Sequence, residues 1–218
     1  MWIKMENIKN DKKISIAILF FIIAFIIIIL LIANGNMQDF DTTISNFVIN
    51  IIPGNFAYFL EMITNLGGII FLPVIALILS LLLIINGKKY YGYCMIVNML
   101  LSSTLYLTIK TLVQRPRPET FRFITETGYS FPSGHATNNV AFYGLLIYFI
   151  FKNVKNKILK TTLITILVIW MSFIALSRIY FNVHYPSDVI AGIILGIICV
   201  LICVKIFKKT FKIKEYDV

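Results

Sequence analysis

Charge is scarce in this sequence. Asp, Glu, Lys and Arg together make up 14%, against about 25% in a soluble globular chain. That shortage, beside 59% hydrophobic residues, excludes disorder, a collagen-like chain and an ordinary cytosolic enzyme. Cysteine is scarcer still. The three present, Cys94, Cys199 and Cys203, are odd in number and lie in apolar stretches, which excludes a disulfide framework. Cys199 and Cys203 share a helix face with no histidine or carboxylate nearby, so they read as small packing residues and not as metal ligands. Internal repeats are lacking too. Acidic residues number 10 against 20 basic ones, a net charge of +10. In a polar chain that excess would suggest a nucleic-acid partner. In a chain this apolar it records membrane topology, and no nucleic acid is expected.

What is present is a series of long apolar runs. A bilayer core about 30 Å thick needs about 20 helical residues. The run 14–33 supplies them without one charge, followed by runs near 67–85, 91–109, 135–151, 161–176 and 188–204. The expected fold is all-α: a polytopic membrane protein with six transmembrane helices plus short interfacial helices. The first run has the basic flank of a signal peptide. It is longer than a signal core of about 7–15 residues and lacks a small-x-small site near Ala33, so a retained span is expected. Fifteen of the 20 basic residues, all lysine, fall on one side if the N-terminus is inside. Positive-inside bias then gives six spans with both termini cytoplasmic, and the abundance of Ile, Lys and Asn suggests an AT-rich, bacterial source, hence a bacterial cell membrane. The exceptions are Lys110, Arg115, Arg117, Arg122 and Arg178, gathered in or near two short outer stretches.

Residues 34–66 are too polar and interrupted for a clean span. Phe40, Ile44, Phe47, Val48 and Ile51 recur at roughly helical spacing, with Asp39 or Asp41 as a cap and Pro53-Gly54 as a break. A second short helix would carry Phe56, Phe59, Leu60 and Ile63. Two interfacial helices beside the outer face are expected, with a re-entrant hairpin as the alternative. The basic, aromatic tail, with Phe207, Phe211 and Tyr216, is expected against anionic headgroups on the inner face. Ala191, Gly192 and Gly196 suggest close helix packing.

Against this apolar ground, a few polar residues stand out. Both histidines, His135 and His184, fall at expected outer ends of spans. His135 closes the run Pro132-Ser133-Gly134-His135, and His184 lies between Ser177-Arg178 and Asp188. Ahead of both comes Lys110 to Arg117-Pro118. Three distant pieces of chain thus reach one outer cup. Lysine and arginine converging there suit phosphate oxygens. Ser133 and the Gly134 amide sit where a helix begins, and free N-terminal amides bind anions. A histidine whose tautomer a carboxylate fixes is a competent nucleophile on phosphorus. If Pro186 starts the last helix, Asp188 lies in its first turn and can face His184. Zinc on the two histidines and Asp188 is disfavoured by the surrounding cations.

These three motifs resemble those of the type 2 phosphatidic acid phosphatase superfamily, whose patterns are Lys, six residues, Arg-Pro; then Pro-Ser-Gly-His; then Ser-Arg, five residues, His, three residues, Asp. All are complete here, in order. The resemblance covers about residues 67–206 and implies one membrane-embedded phosphatase domain over 1–218, with no cofactor and no metal. It implies that His184 attacks phosphorus, Asp188 orients it, and His135 protonates the leaving oxygen and then activates water. Lys110, Arg117, Ser133, Gly134 and Arg178 would hold the phosphate, and Arg115 is a candidate for a second phosphate or headgroup. The implied substrate is a membrane lipid phosphate or diphosphate. Undecaprenyl diphosphate leads, with phosphatidylglycerophosphate and phosphatidic acid as alternatives. A phosphotransferase would need the same residues. A transporter or lipid-binding protein is the reading of another class; the absence of charge within the span interiors speaks against transport. An oligomer is not indicated.

Overall fold

A computed structural model describes residues 2–119, 124 and 126–210, with side chains between 11 and 209. The described residues are helical throughout, with no strand: α1 Trp2–Ala33, α2 Gln38–Ile51, a 3-10 turn Gly54–Phe56, α3 Ala57–Leu66, α4 Phe71–Ile85, α5 Lys89–Val113, α6 Gly134–Asn153, α7 Lys157–Tyr180 and α8 Pro186–Thr210. Helices stand at all six expected spans, yet the six-span expectation is met only in part. Four of them have the length and composition to cross a bilayer, within α1, α5, α7 and α8. The α2–α3 pair, bent by 91° at its break, would make a fifth if it counts as one span. Helix α4 has only 15 residues. Helix α6 is long enough, but its first turns carry His135, Thr137, Asn138 and Asn139, which are buried against other helices. Polar residues aimed inward lower mean hydropathy without meeting lipid.

Helices α5 to α8 run alternately up and down. The C-terminal ends of α5 and α7 therefore meet the N-terminal ends of α6 and α8. At the opposite end, Tyr91 donates to Asn153 Oδ1 at 2.7 Å, and Lys205 donates to Ser15 Oγ at 2.7 Å. Between the two ends lies a core of Leu72, Met95, Phe142, Leu145, Phe149 and Phe207. Cys94, Cys199 and Cys203 are free and buried within the bundle, as packing residues.

Small residues let α8 approach α6. A methyl group built on Gly192 would stand 2.6 Å from the Ser133 carbonyl oxygen, and one on Gly196 would stand 2.7 Å from that of Thr137. Backbones at this range exclude any side chain. Polar contacts add to the fit: Asn98 donates to the Ala141 carbonyl at 2.7 Å, Ser102 to Asn138 Oδ1 at 2.9 Å, and Trp170 to the Tyr143 hydroxyl at 3.0 Å. In hydrocarbon such bonds satisfy groups that water cannot reach.

Two expectations are corrected. Neither Asp39 nor Asp41 caps α2. Met37 holds the cap position without a side-chain bond, and Asp41 is buried in the first turn, drawn inward by partners far along the chain. The tail is also reassigned in part. Helix α8 continues to Thr210, and Phe207 packs into the core beside Tyr90 instead of facing headgroups. Lys208 and Lys209 suit the carbonyl end of that helix. Phe211, Tyr216 and Arg122 lie outside the described residues.

Candidate active site

The polar cluster sits where α5, α6, α7 and α8 end or begin. Ser133 is the N-cap of α6, and its hydroxyl accepts from the Ala136 amide at 3.4 Å. Its own amide donates to the Asp188 carbonyl at 3.0 Å, tying the start of α6 to the start of α8. Gly134 has no room for a side chain, since a methyl group there would stand 2.9 Å from the Tyr106 ring. Pro186 does open α8 and Asp188 does lie in its first turn. His184 follows the end of α7, in a short loop whose Asn182 takes a positive φ of 54°.

His184 is buried at 2% exposure. Its Nε2 lies 3.3 Å from Arg117 Nη1, and its Nδ1 lies 3.3 Å from Ser130 Oγ. A guanidinium only donates, so Nε2 is the acceptor and the ring proton belongs on Nδ1. The Nε2 lone pair thus faces the arginine side. On the other side Asp188 Oδ2 stands 3.8 Å from Nδ1, too far for a direct bond. Ser130 fills the gap by donating to that same oxygen at 2.5 Å. Burial pushes the His184 pKa well below the ordinary imidazole value, and the charges of Arg178, Arg117 and Lys110 push it the same way. The ring is neutral at neutral pH.

The cations converge from two of the motifs, the first and the third. Arg117 is held by backbone carbonyls: Nε donates to Gly128 at 3.0 Å, Nη1 to Val183 at 2.8 Å and Nη2 to Thr127 at 3.0 Å. Lys110 donates to the carbonyls of Tyr129 and Ser130. Arg178 is 1% exposed; its Nη1 donates to Thr64 at 2.8 Å and its Nη2 pairs with Glu126. The same Glu126 carboxylate reaches to 3.9 Å from Arg117. Among the described residues, Arg178 Nε and His135 Nδ1 have no hydrogen-bond partner, although both are buried. His135, in the first turn of α6, is 7% exposed.

Arg115 is placed differently from Arg117 and Arg178. Its guanidinium is bound to Asp188 Oδ1 and Asp41 Oδ2, both at 2.7 Å, and lies 4.0 Å above the Tyr185 ring. Burial works against its charge, but the two carboxylates more than offset this and raise its pKa. Ser130, Glu126, Thr64 and Asp41 belong to none of the three motifs. Their only signal in sequence is that each is a polar residue beside an expected outer end. No group of three or more His, Cys, Asp or Glu side chains suited to a metal ion occurs among the described residues.

The sequence and the fold have counterparts. Phosphatidylglycerophosphatase B of Bacillus subtilis is 28% identical over 134 residues, which cover 60% of this chain and 64% of that protein. The crystal structure of a transmembrane PAP2-type phosphatidylglycerolphosphate phosphatase from Bacillus subtilis is similar in fold. Its TM-score is 0.82 at 24% identity, covering 90% of this chain and 98% of that one. The crystal structure of Aquifex aeolicus LpxE gives a TM-score of 0.62 at 25% identity, covering 75% of this chain and 94% of that one. The PAP2 superfamily profile matches residues 87–212, a stretch that holds all three motifs and the meeting ends of α5 to α8. The chain therefore belongs to the PAP2 superfamily of phosphatases.

Proposed function

We propose that this protein is a metal-independent lipid phosphatase working through a phosphohistidine. The observation that carries the reading is the His184 ring. It is buried and neutral, its Nε2 lone pair faces arginine, and its Nδ1 is backed by Ser130 and Asp188. Nε2 attacks phosphorus, and the bond from phosphorus to the lipid oxygen breaks. His135, protonated in the substrate complex where the bound phosphate offsets the neighbouring cations, gives that oxygen its proton and, now neutral, takes one from the water that hydrolyses the phosphohistidine. The imidazolium formed on attack keeps its Nδ1 proton, directed at Ser130 and the Asp188 charge. Lys110, Arg117, Arg178 and the Ser133-Gly134 turn take the equatorial oxygens. The spare donor on Arg178 is available to them, and the two arginines already share one carboxylate, Glu126.

The residues 1–218 act as one membrane-embedded unit with six spans, both termini cytoplasmic and the site on the outer face of a bacterial membrane. The lysine distribution supports this orientation. Of the candidate substrates, phosphatidylglycerophosphate is favoured. The Bacillus subtilis relative, met both in sequence and in structure, is named for that lipid, and Arg115, the residue that favoured a diphosphate, is already bound to two carboxylates. The test is phosphate release by purified protein in detergent, comparing phosphatidylglycerophosphate, undecaprenyl diphosphate and phosphatidic acid. The expected result is a preference for the first, unchanged by EDTA. Strict dependence on added magnesium would contradict the metal-free chemistry, and a preference for the diphosphate would reassign the substrate.

A further inference from the structure

Asp41 belongs to no motif and lies outside the family-matched residues 87–212. It is nevertheless 2% exposed and fully engaged. Its Oδ1 accepts from the Ser187 amide at 2.8 Å, and its Oδ2 accepts from Ser187 Oγ and Arg115 Nη2, both at 2.7 Å. Arg115 carries the connection onward: its Nη1 donates to Ser187 Oγ and to Asp188 Oδ1, both at 2.7 Å. A guanidinium is a rigid planar fork, so a carboxylate that holds one end fixes where the other end points. The Tyr185 ring beneath it removes the remaining freedom to tilt. Asp188 is thus gripped on Oδ1 by Arg115 and on Oδ2 by Ser130 and the Tyr185 amide.

We infer that Asp41 is a positioning residue: by holding Arg115 and the first turn of α8, it sets the orientation of Asp188 and, through Asp188, of the His184 ring. Helix α2 is then part of the apparatus that does chemistry, although it lies outside the family-matched region. This inference rests on the reading of His184 as nucleophile.

The experiment measures kcat and KM for the full-length wild type, His184→Ala, Asp41→Asn, Asp41→Glu, Arg115→Gln and the Asp41→Asn/Arg115→Gln double variant. Phosphatidylglycerophosphate and undecaprenyl diphosphate serve as substrates. A misplaced side chain of this kind costs kcat about tenfold or more. Asp41→Asn is expected to lose about tenfold in kcat with KM within about twofold, and Asp41→Glu to regain part of the loss. The double variant is expected to fall no further than Arg115→Gln alone, because both act through one path. Additive losses would overturn the inference. So would an unimpaired Asp41→Asn, or an Arg115→Gln whose only effect is a raised KM for the diphosphate. If Asp41→Asn does not fold, Ser187→Ala decides: a fall in kcat at unchanged thermal midpoint supports the inference, and an unchanged kcat sinks it. Equal, negligible turnover by wild type and His184→Ala would instead sink the phosphatase reading itself.

Discussion

Helices α6 and α8 differ from α1 and α7 in what surrounds them. The most apolar stretch of α8 is 56% buried, whereas those of α1 and α7 are 6% buried. Helix α7 presents Ile158, Leu159, Ile166, Val168 and Ile169 outward and buries a block only at its end, from Ser177 to Tyr180. Helix α6 buries every residue from Gly134 to Phe142. The outer pair satisfies lipid with any large aliphatic side chain. The inner pair has to hold two backbones and a polar cluster in register, which admits few residue types. Composition specifies the first pair and individual positions specify the second.

Four substitutions or conditions test that contrast. The largest effect belongs to the inner pair's chemistry. His184→Ala is expected to lower phosphate release by at least about a thousandfold while leaving the fold intact; labelled phosphate trapped on the wild type and absent from the variant is the direct measurement. Next is the backbone approach. Gly192→Ala forces a methyl group against the Ser133 carbonyl oxygen and Ala136 Cβ, 2.6 and 2.9 Å away. It is expected to cost about 1–3 kcal/mol of stability and about tenfold or more in kcat. Gly144→Ala, whose methyl group meets Val200 at an ordinary 3.5 Å, should leave both unchanged. Equal damage from the two would break the contrast.

The third test is pH. In the proposed mechanism only the neutral His184 ring attacks, and burial with the nearby cations holds its pKa well below 6.5. As pH falls through 6.5, kcat/KM is therefore retained, and the acid limb appears only at lower pH. An unshifted imidazole would lose about half its activity at that pH. The pH profile of kcat/KM checks this, and an acid limb at 6.5 or above would place His184 in a more exposed setting. The smallest effect belongs to the outer pair. Ile166→Leu on the lipid side of α7 is expected within about 0.5 kcal/mol and with no change in rate, as measured by thermal unfolding and turnover.

The helices and the motif residues were legible because both signals are local. Apolar runs located the helices, Pro53-Gly54 marked the α2–α3 break, and Pro186 marked the start of α8. Gly192 and Gly196 suggested a close helix contact, whose partner, α6, only the structure shows. Asp41 and Arg115 were not legible. A buried aspartate at a helix start has the same sequence signature as a cap, and nothing local shows that Ser187, 146 residues away, supplies its partners. Arg115 misled for the same reason: its carboxylates come from α2 and α8, 74 and 73 positions distant. Ser130 escaped notice because a serine beside a proline-rich turn is ordinary, and only the 3.8 Å gap between His184 and Asp188 gives it a task.

The amide of Ser133 bonds to the carbonyl of Asp188, and Gly192 rests on the other side of the same turn. The spacing between the two histidine-bearing turns is consequently held in part by main chain. A lineage can exchange the residues around the mouth, and with them the lipids it accepts, while that main-chain bond keeps the two histidine-bearing turns together. Descent would then conserve the reaction while leaving the diet free to drift.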